Sequence, residues 1–244
     1  MPALRLLDTP PLAPEEHLAL EEAVLDAVET GASPCTLRLW ESATPFVVLG
    51  SAQVLASEVD EEYGAIDGVP VMRRCTAGGC VLQGPGSLNY SLFLRYAEFP
   101  ETRDLHQSYC FILSRIAGAL EAAGIPARHE GVCDLAVAGL KVSGNAQRRR
   151  RNAFLHHGTL VHRADHAAMA RYLREPKDRP AYRAGRTHRE FVGELRLLPE
   201  QLRRLIIGAF GAGAVAEQPN PREWEAMRHL VNEKYRAAAW IRRR

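Results

Sequence analysis

Lysine is nearly absent from this chain: of 31 basic residues, only Lys141, Lys177 and Lys234 are not arginine. Each marks a place where a compact, titratable ammonium stands instead of the planar guanidinium. Cysteine is also scarce. Cys35, Cys75, Cys80, Cys110 and Cys133 make an odd count without zinc-ligand spacing, so reduced thiols and no structural metal are expected. No apolar run approaches the roughly 18 to 20 residues of a membrane span. The opening MPALRLLDTPPLAPEE lacks the regions of a secretory leader, so a cytoplasmic location is expected. A net charge of only +2 supplies no global field for nucleic acid or membrane, and neither is expected as a partner. Rossmann and P-loop nucleotide folds are excluded by the lack of G-x-G-x-x-G and G-x-x-x-x-G-K-[ST].

What is present is a 244-residue chain, 46% hydrophobic and 25% charged, the composition of one medium to large globular domain. Apolar residues at helical spacing with interleaved glutamates predict an amphipathic helix over 14–30. TLRLW (36–40) and PFVVLG (45–50) read as two strands of a hairpin. A strand at 69–72 leads through a glycine-rich loop into another strand, and a second amphipathic helix covers 105–124. DLAVAGLKVSG predicts a tight hairpin turning at Ala138 and Gly139. A strand follows around 154–161, then helices at 166–173, 199–210 and 223–240. The stretch 217–222 is the best linker candidate. The element order predicts an α+β (mixed α/β) fold, a mainly antiparallel or mixed sheet flanked by helices.

Three clusters carry chemistry. Arg73, Arg74, Thr76, Gly78, Gly79, Gly84 and Gly86 combine guanidinium groups, a hydroxyl and glycines that admit close backbone approach, which is equipment for an anion. Asp134, Lys141, Ser143 and Asn145 surround the second hairpin, where a point-charge ammonium suits a phosphate or polarised carbonyl. His157-Gly158 follows on the next strand. The run Arg148–Arg151 has no interleaved aromatics and reads as a solvated turn, with Arg148 nearest the lysine hairpin.

Together, RRCTAGGCVLQGPGSLNYSL, CDLAVAGLKVSGNAQR and LHHGTLV, in that order, resemble the lipoate–protein ligase and lipoyl/octanoyl transferase family. ALEEAVLDAV, LRLWESATPFVVLGSAQ and KYRAAAWI are similar to its outer features. The resemblance implies a biotin/lipoate protein ligase fold over 1–244 as one catalytic domain without a C-terminal accessory domain. It implies ATP, transient Mg²⁺ and lipoate or octanoate. The implied acceptors are lipoyl domains of 2-oxoacid dehydrogenase E2 proteins or glycine-cleavage H protein, and a separate accessory subunit is a possible partner. Lys141 takes the place of the family's motif lysine. Arg73, Arg74, Thr76, Gly78, Gly79, Ser87, Asn89, Asp134, Ser143, Asn145, Arg148, His157 and Gly158 take substrate or adenylate positions, and no protein metal site is implied. This chain departs from the pattern at Ala77, where ligases have a first glycine, at Gly84-Pro85-Gly86, which is similar to the transferases, and at Cys133, which stands for asparagine.

The preferred reading is acyl-adenylate formation followed by transfer to a lysine. An alternative is octanoyl transfer from acyl carrier protein or H protein through a thioester on Cys133, the possible nucleophile. The transferase branch with a cysteine just before His-Gly is disfavoured, because Ala153-Phe154-Leu155 stands there. A third reading is a non-catalytic subunit that binds lipoyl domains.

Overall fold

The computed structural model describes residues 2–177 and 179–244. The strands are β1 (Leu4–Leu7), β2 (Thr36–Trp40), β3 (Phe46–Leu49), β4 (Val71–Arg73), β5 (Val81–Gln83), β6 (Ser87–Arg95), β7 (Arg128–Glu130), β8 (Asp134–Val137), β9 (Leu140–Arg149), β10 (Ala153–Val161) and β11 (Ala212–Glu217). The helices are α1 (Pro14–Glu29), α2 (Leu55–Glu58), α3 (Glu61–Asp67), α4 (Leu105–Ala122), α5 (His166–Tyr172), α6 (His188–Phe191), α7 (Pro199–Phe210), α8 (Pro221–Leu230) and α9 (Ala238–Ile241).

Local chemistry explains most boundaries. Pro14 opens α1, and the Glu16 carboxylate accepts from the Ala13 amide at 2.8 Å. Asp104 caps α4 by accepting from the Gln107 amide at 2.9 Å. Ala138 (φ 50°) and Gly139 (φ 76°) are both left-handed, the requirement of the tightest hairpin turn, and join β8 to β9.

The strands form an eight-stranded sheet, β11-β1-β2-β6-β10-β9-β8-β7, and a three-stranded sheet, β4-β3-β5. β1 runs parallel to both neighbours and β3 parallel to β4; the remaining ladders are antiparallel, so the fold is α+β with a mixed sheet. One core packs the large sheet against α4 and α7 through Phe154, Ile112, Ile116, Leu202 and Phe210. A second joins its opposite face to α1, α8 and the small sheet through Leu20, Val24, Phe93, Val48 and Met227. Helix α1 therefore sits in the interior, and its residues 17–25 are all buried.

Three sequence expectations are corrected. TLRLW and PFVVLG do not form a hairpin: β2 lies between β1 and β6, while β3 is the centre of the small sheet. Phe46–Leu49 is apolar throughout and buried on both faces, the pattern of a central strand rather than a hairpin arm with one wet side. Residues 217–222 are no linker, because Glu217 ends β11 and Asn220 caps α8 by accepting from the Glu223 amide at 3.0 Å. The helix over 223–240 is interrupted by a π-helical turn at Val231–Tyr235. The wider turn accompanies Lys234 and buried Tyr235, both of which donate to Glu22, at 2.6 and 2.7 Å. Short β1, β7, β11, α2, α3 and α6 carried too little periodicity to be read.

A buried ion pair fastens β1 to α8. Arg5 donates twice to Glu223, at 3.1 and 2.6 Å, with side chains 5% and 0% exposed. Glu223→Ala is expected to lower unfolding stability by about 3 kcal/mol, because it strands a buried guanidinium. The double variant Arg5→Met/Glu223→Leu should recover most of that loss in urea denaturation.

Candidate active site

The site is built on the face of the large sheet that α1 covers. Strand register aligns Trp40 (β2), Asn89 (β6), Thr159 (β10) and Gly144 (β9) in one row, and Arg38, Ser91, His157 and Ala146 in the next row on the same face. Above them lie α1 and the loop between β4 and β5. An inner cavity of about 140 Å³ is lined by Leu18, Trp40 and Val48, by Gly78 and Gly79 of the loop, and by Lys141 and His157. A second cavity of about 310 Å³ shares Gly79, Cys133, Lys141, Gly144 and Thr159 with it and extends to Arg174, Pro176, Arg183 and Phe191. Lys141 and the glycine loop therefore face one continuous space.

The loop is held from beneath. The Arg74 guanidinium donates to the carbonyls of Ala77 and Gly79, at 2.7 and 2.9 Å, and its Nε donates to Thr76 Oγ1 at 2.8 Å. Because a trans peptide sets N–H opposite C=O, the amides of Gly78 and Cys80 point away from the guanidinium. The left-handed turn falls on Gly78 (φ 93°), and Ala77 is not among the positive-φ residues, so the loop closes without a glycine at 77. Thr76 Oγ1 shares a 2.8 Å hydrogen bond with His157 Nε2, and His157 Nδ1 donates to Glu21 Oε2 at 2.8 Å. Ser91 donates to the other Glu21 oxygen at 2.5 Å. Burial by itself raises the Glu21 carboxyl, but His157, by charge and hydrogen bond, with Arg38 and Ser91, outweighs it and holds the group at about 2.

Lys141 enters from the hairpin. A bulge at Val142 shifts the β8–β9 register beside it, the irregularity that re-aims a side chain. Its Nζ lies 2.8 Å from Asp134 Oδ1, and the Tyr182 hydroxyl donates to Asp134 Oδ2 at 2.8 Å. Gly144 makes room: a Cβ there would stand 2.9 Å from Lys141 Cε and Nζ. Asn145 donates to the Cys133 carbonyl at 2.7 Å and accepts from the Tyr90 hydroxyl. Burial and neighbouring Asp134 push the Cys133 thiol up, against the opposing pull of Lys141, which disfavours a resting thiolate.

The structure thus gathers Arg74, Gly78, Asn89, Asn145, His157 and Gly158 at the inner cavity, Ser87, Asp134 and Ser143 at the outer one, and Gly79, Cys133 and Lys141 at both. Thr76 stands one hydrogen bond behind. Besides Thr76, two expected residues line neither cavity. Arg73 turns toward the C-terminal helix, donating to the carbonyls of Trp240, Ile241, Gly50 and Gln53. Arg148 does reach inward, but donates to the Cys75 carbonyl at 2.9 Å.

Sequence reasoning passed over Glu21, Trp40, Gln83, Thr159 and Tyr182. Glu21 had a signal, since its spacing from Leu18 and Leu25 puts a carboxylate on the apolar face of α1, not on a solvated one. Tyr182 had none, lying 48 residues from its partner.

A family model described as the lipoyl protein ligase A/B catalytic domain matches residues 13–205. The chain belongs to this family. A candidate lipoate-protein ligase A of Aeropyrum pernix is 34% identical over 169 residues, 69% of this chain and 61% of that protein. Lipoate–protein ligase 1 of Staphylococcus aureus is 28% identical over 235 residues, 93% of this chain and 69% of that one. The chain thus spans under two thirds of the length of the first of these family members. Two solved structures share the fold. A bi-partite lipoate protein ligase of Thermoplasma acidophilum, studied with its E2 lipoyl domain, superposes with a TM-score of 0.86 at 23% identity, covering 99% of this chain and 96% of that one. A lipoate-protein ligase A bound with ATP gives 0.84 at 22%, covering 98% of each.

Acid stability tests the buried network. Burial, with Arg38 beside it, pushes His17 down to about 3 from an ordinary 6.5, and Glu21 is held at about 2 against 4.5. Both groups bind fewer protons folded than unfolded, so stability falls with pH, through the His17 window first and the Glu21 window below it. Urea midpoints should show a loss of at least about 2 kcal/mol between pH 7 and 4. His17→Gln should flatten its upper part.

Proposed function

We propose that this chain joins lipoate, or octanoate, to ATP as an acyl-adenylate with release of pyrophosphate, then passes the acyl group to a lysine ε-amine of a lipoyl acceptor domain. The observation that carries this reading is the place of Lys141, the cation shared by both cavities. The acid lies in the inner cavity, against Leu18, Trp40 and Val48, with its carboxylate toward Lys141 and the glycine loop. The nucleotide occupies the outer cavity, whose volume is that of a small-ligand site. Family membership and the ATP-bound and lipoyl-domain-associated relatives of the same fold support the choice of co-substrate and acceptor.

In the first step a carboxylate oxygen attacks the α-phosphorus and pyrophosphate departs. Lys141 offsets the negative charge between acid and phosphate, and the amides of Gly78 and Cys80, turned away from Arg74, are free to donate toward it. In the second step a neutral acceptor amine attacks the acyl carbon, the amide forms, AMP leaves and the amine proton is released. Lys141 stabilises the tetrahedral oxyanion and the leaving phosphate without itself bonding to the acyl group. Asp134, held by Tyr182, restrains the ammonium between the two cavities.

Magnesium fits here only as a companion of the nucleotide. No group of three acidic, histidine or cysteine side chains able to hold a metal occurs among the described residues, and both Asp134 oxygens already have partners. When bound, the ion supplies charge neutralisation on the phosphates. The reading places the reaction in the cytoplasm; among the described residues no helix is long and apolar enough to cross a membrane.

Lipoate-dependent ATP–pyrophosphate exchange tests the proposal directly, and its absence at saturating lipoate would overturn it. Lys141→Ala should lower acyl-adenylate formation at least 100-fold with the native circular dichroism spectrum retained. Lys141→Arg should not rescue it, because a planar guanidinium does not fit over Gly144. Cys133→Ser should keep acceptor lipoylation within about threefold, since the raised thiol is a poor nucleophile. Loss of transfer together with loss of an acyl-protein mass adduct would favour the thioester route.

A further inference from the structure

We propose that Gln83, Asn89 and Thr159 read the end of the acid furthest from its carboxylate, selecting an acid with a hydrogen-bond acceptor there over a purely aliphatic one. This rests on the acyl-activating function proposed above and narrows its substrate class.

The three side chains come from β5, β6 and β10 and line the inner cavity. They close a hydrogen-bonded ring: Gln83 Nε2 donates to Thr159 Oγ1, Thr159 Oγ1 donates to Asn89 Oδ1, and Asn89 Nδ2 donates to Gln83 Oε1, each at 2.8 Å. A carbonyl settles the direction of the ring. Asn89 Nδ2 also donates to the Ser87 carbonyl at 3.3 Å, and a carbonyl can only accept. Both Asn89 N–H groups and the Thr159 O–H are thereby used. One donor of the ring is left over, the second N–H of Gln83. Gln83 and Asn89 are 5% and 4% exposed, so water offers little compensation.

Register places the ring along the acid. Lys141 lies over Gly144, and Thr159, Asn89 and Trp40 follow in the same row on successive strands. At about 4.8 Å per strand, Thr159, Asn89 and Trp40 stand roughly 5, 10 and 14 Å from Gly144. An extended eight-carbon acid spans about 9 Å on single bonds of about 1.5 Å. With its carboxylate at Lys141, its far end reaches Asn89 and the ring, and Trp40 closes the row beyond. Trp40 is itself backed by His17, stacked at 4.1 Å. A saturated alkyl end leaves the Gln83 N–H unpaired. A dithiolane sulfur, a weak acceptor, or a ketone oxygen, a strong one, satisfies it.

The test measures calorimetric binding of lipoate, octanoate and 7-oxooctanoate to the intact chain, alongside Gln83→Met and Thr159→Val. The wild-type chain should bind 7-oxooctanoate and lipoate at least about fivefold more tightly than octanoate. Gln83→Met, which keeps length and removes the donor, should abolish that preference. Thr159→Val, which frees a second Gln83 N–H at nearly constant volume, should enlarge it and keeps the test available if Gln83→Met fails to fold. Equal ratios of the three acids in wild type and folded variants would overturn the inference while leaving the acyl-activating function standing. Failure of every acid to bind the wild-type chain would overturn both.

Discussion

The candidate site depends on one hydrogen-bonded chain, Glu21–His157–Thr76–Arg74, which runs from the interior helix through the central sheet into the glycine loop. A glycine-rich loop is the most costly backbone to order, and its amides are useful only when fixed. Arg74 fixes them by taking up the loop's carbonyls, and Thr76 and His157 tie that arrangement to β10. Glu21 completes the chain because it is buried on α1, opposite the sheet, where an ionised carboxylate is tolerable only with several donors around it. The same burial that makes the network costly in isolation gives it a single geometry when every member is paired.

Against this rigid background, the lysine hairpin supplies the adjustable element. Lys141 is about one third exposed, sits on a bulge and is restrained by one carboxylate, whereas Arg73 and Arg74 are committed to backbone carbonyls. The difference follows from side-chain chemistry. A planar guanidinium with five donors locks backbone in place, and a compact ammonium on a flexible stem leaves charge available to a bound anion. A chain that uses arginine for almost all its positive charge thus has one of its three lysines where the two cavities meet.

Much of this was legible in the residue string. The strand–loop–strand around Arg74 to Asn89, the hairpin carrying Lys141 and the His157-Gly158 strand were readable because turn glycines and alternating residues are local signals. Other assignments failed where the deciding partner is remote. Adjacent arginines at 73 and 74 read as one anion-binding pair, but successive strand residues face opposite ways, and Arg73 is claimed by the C-terminal helix. The burial of the α1 glutamates was legible only at Glu21, whose spacing from Leu18 and Leu25 puts it on the apolar face; the elements that cover the rest of the helix leave no trace in its own sequence. β2 and β3 read as a hairpin because their separation in different sheets is set by the partners each strand finds.

By itself, the sequence determined the order of most elements, which follows from periodicity and turn chemistry, and its motifs carried the resemblance to the family and with it the candidate site residues. Only the tertiary structure decided which arginine serves the loop, that Tyr182 holds Asp134, and that Gln83, Asn89 and Thr159 close into a ring with one donor to spare. Those facts concern the direction of side chains and the pairing of distant strands. Hydrogen bonds and burial settle them across the fold, beyond the reach of any local pattern.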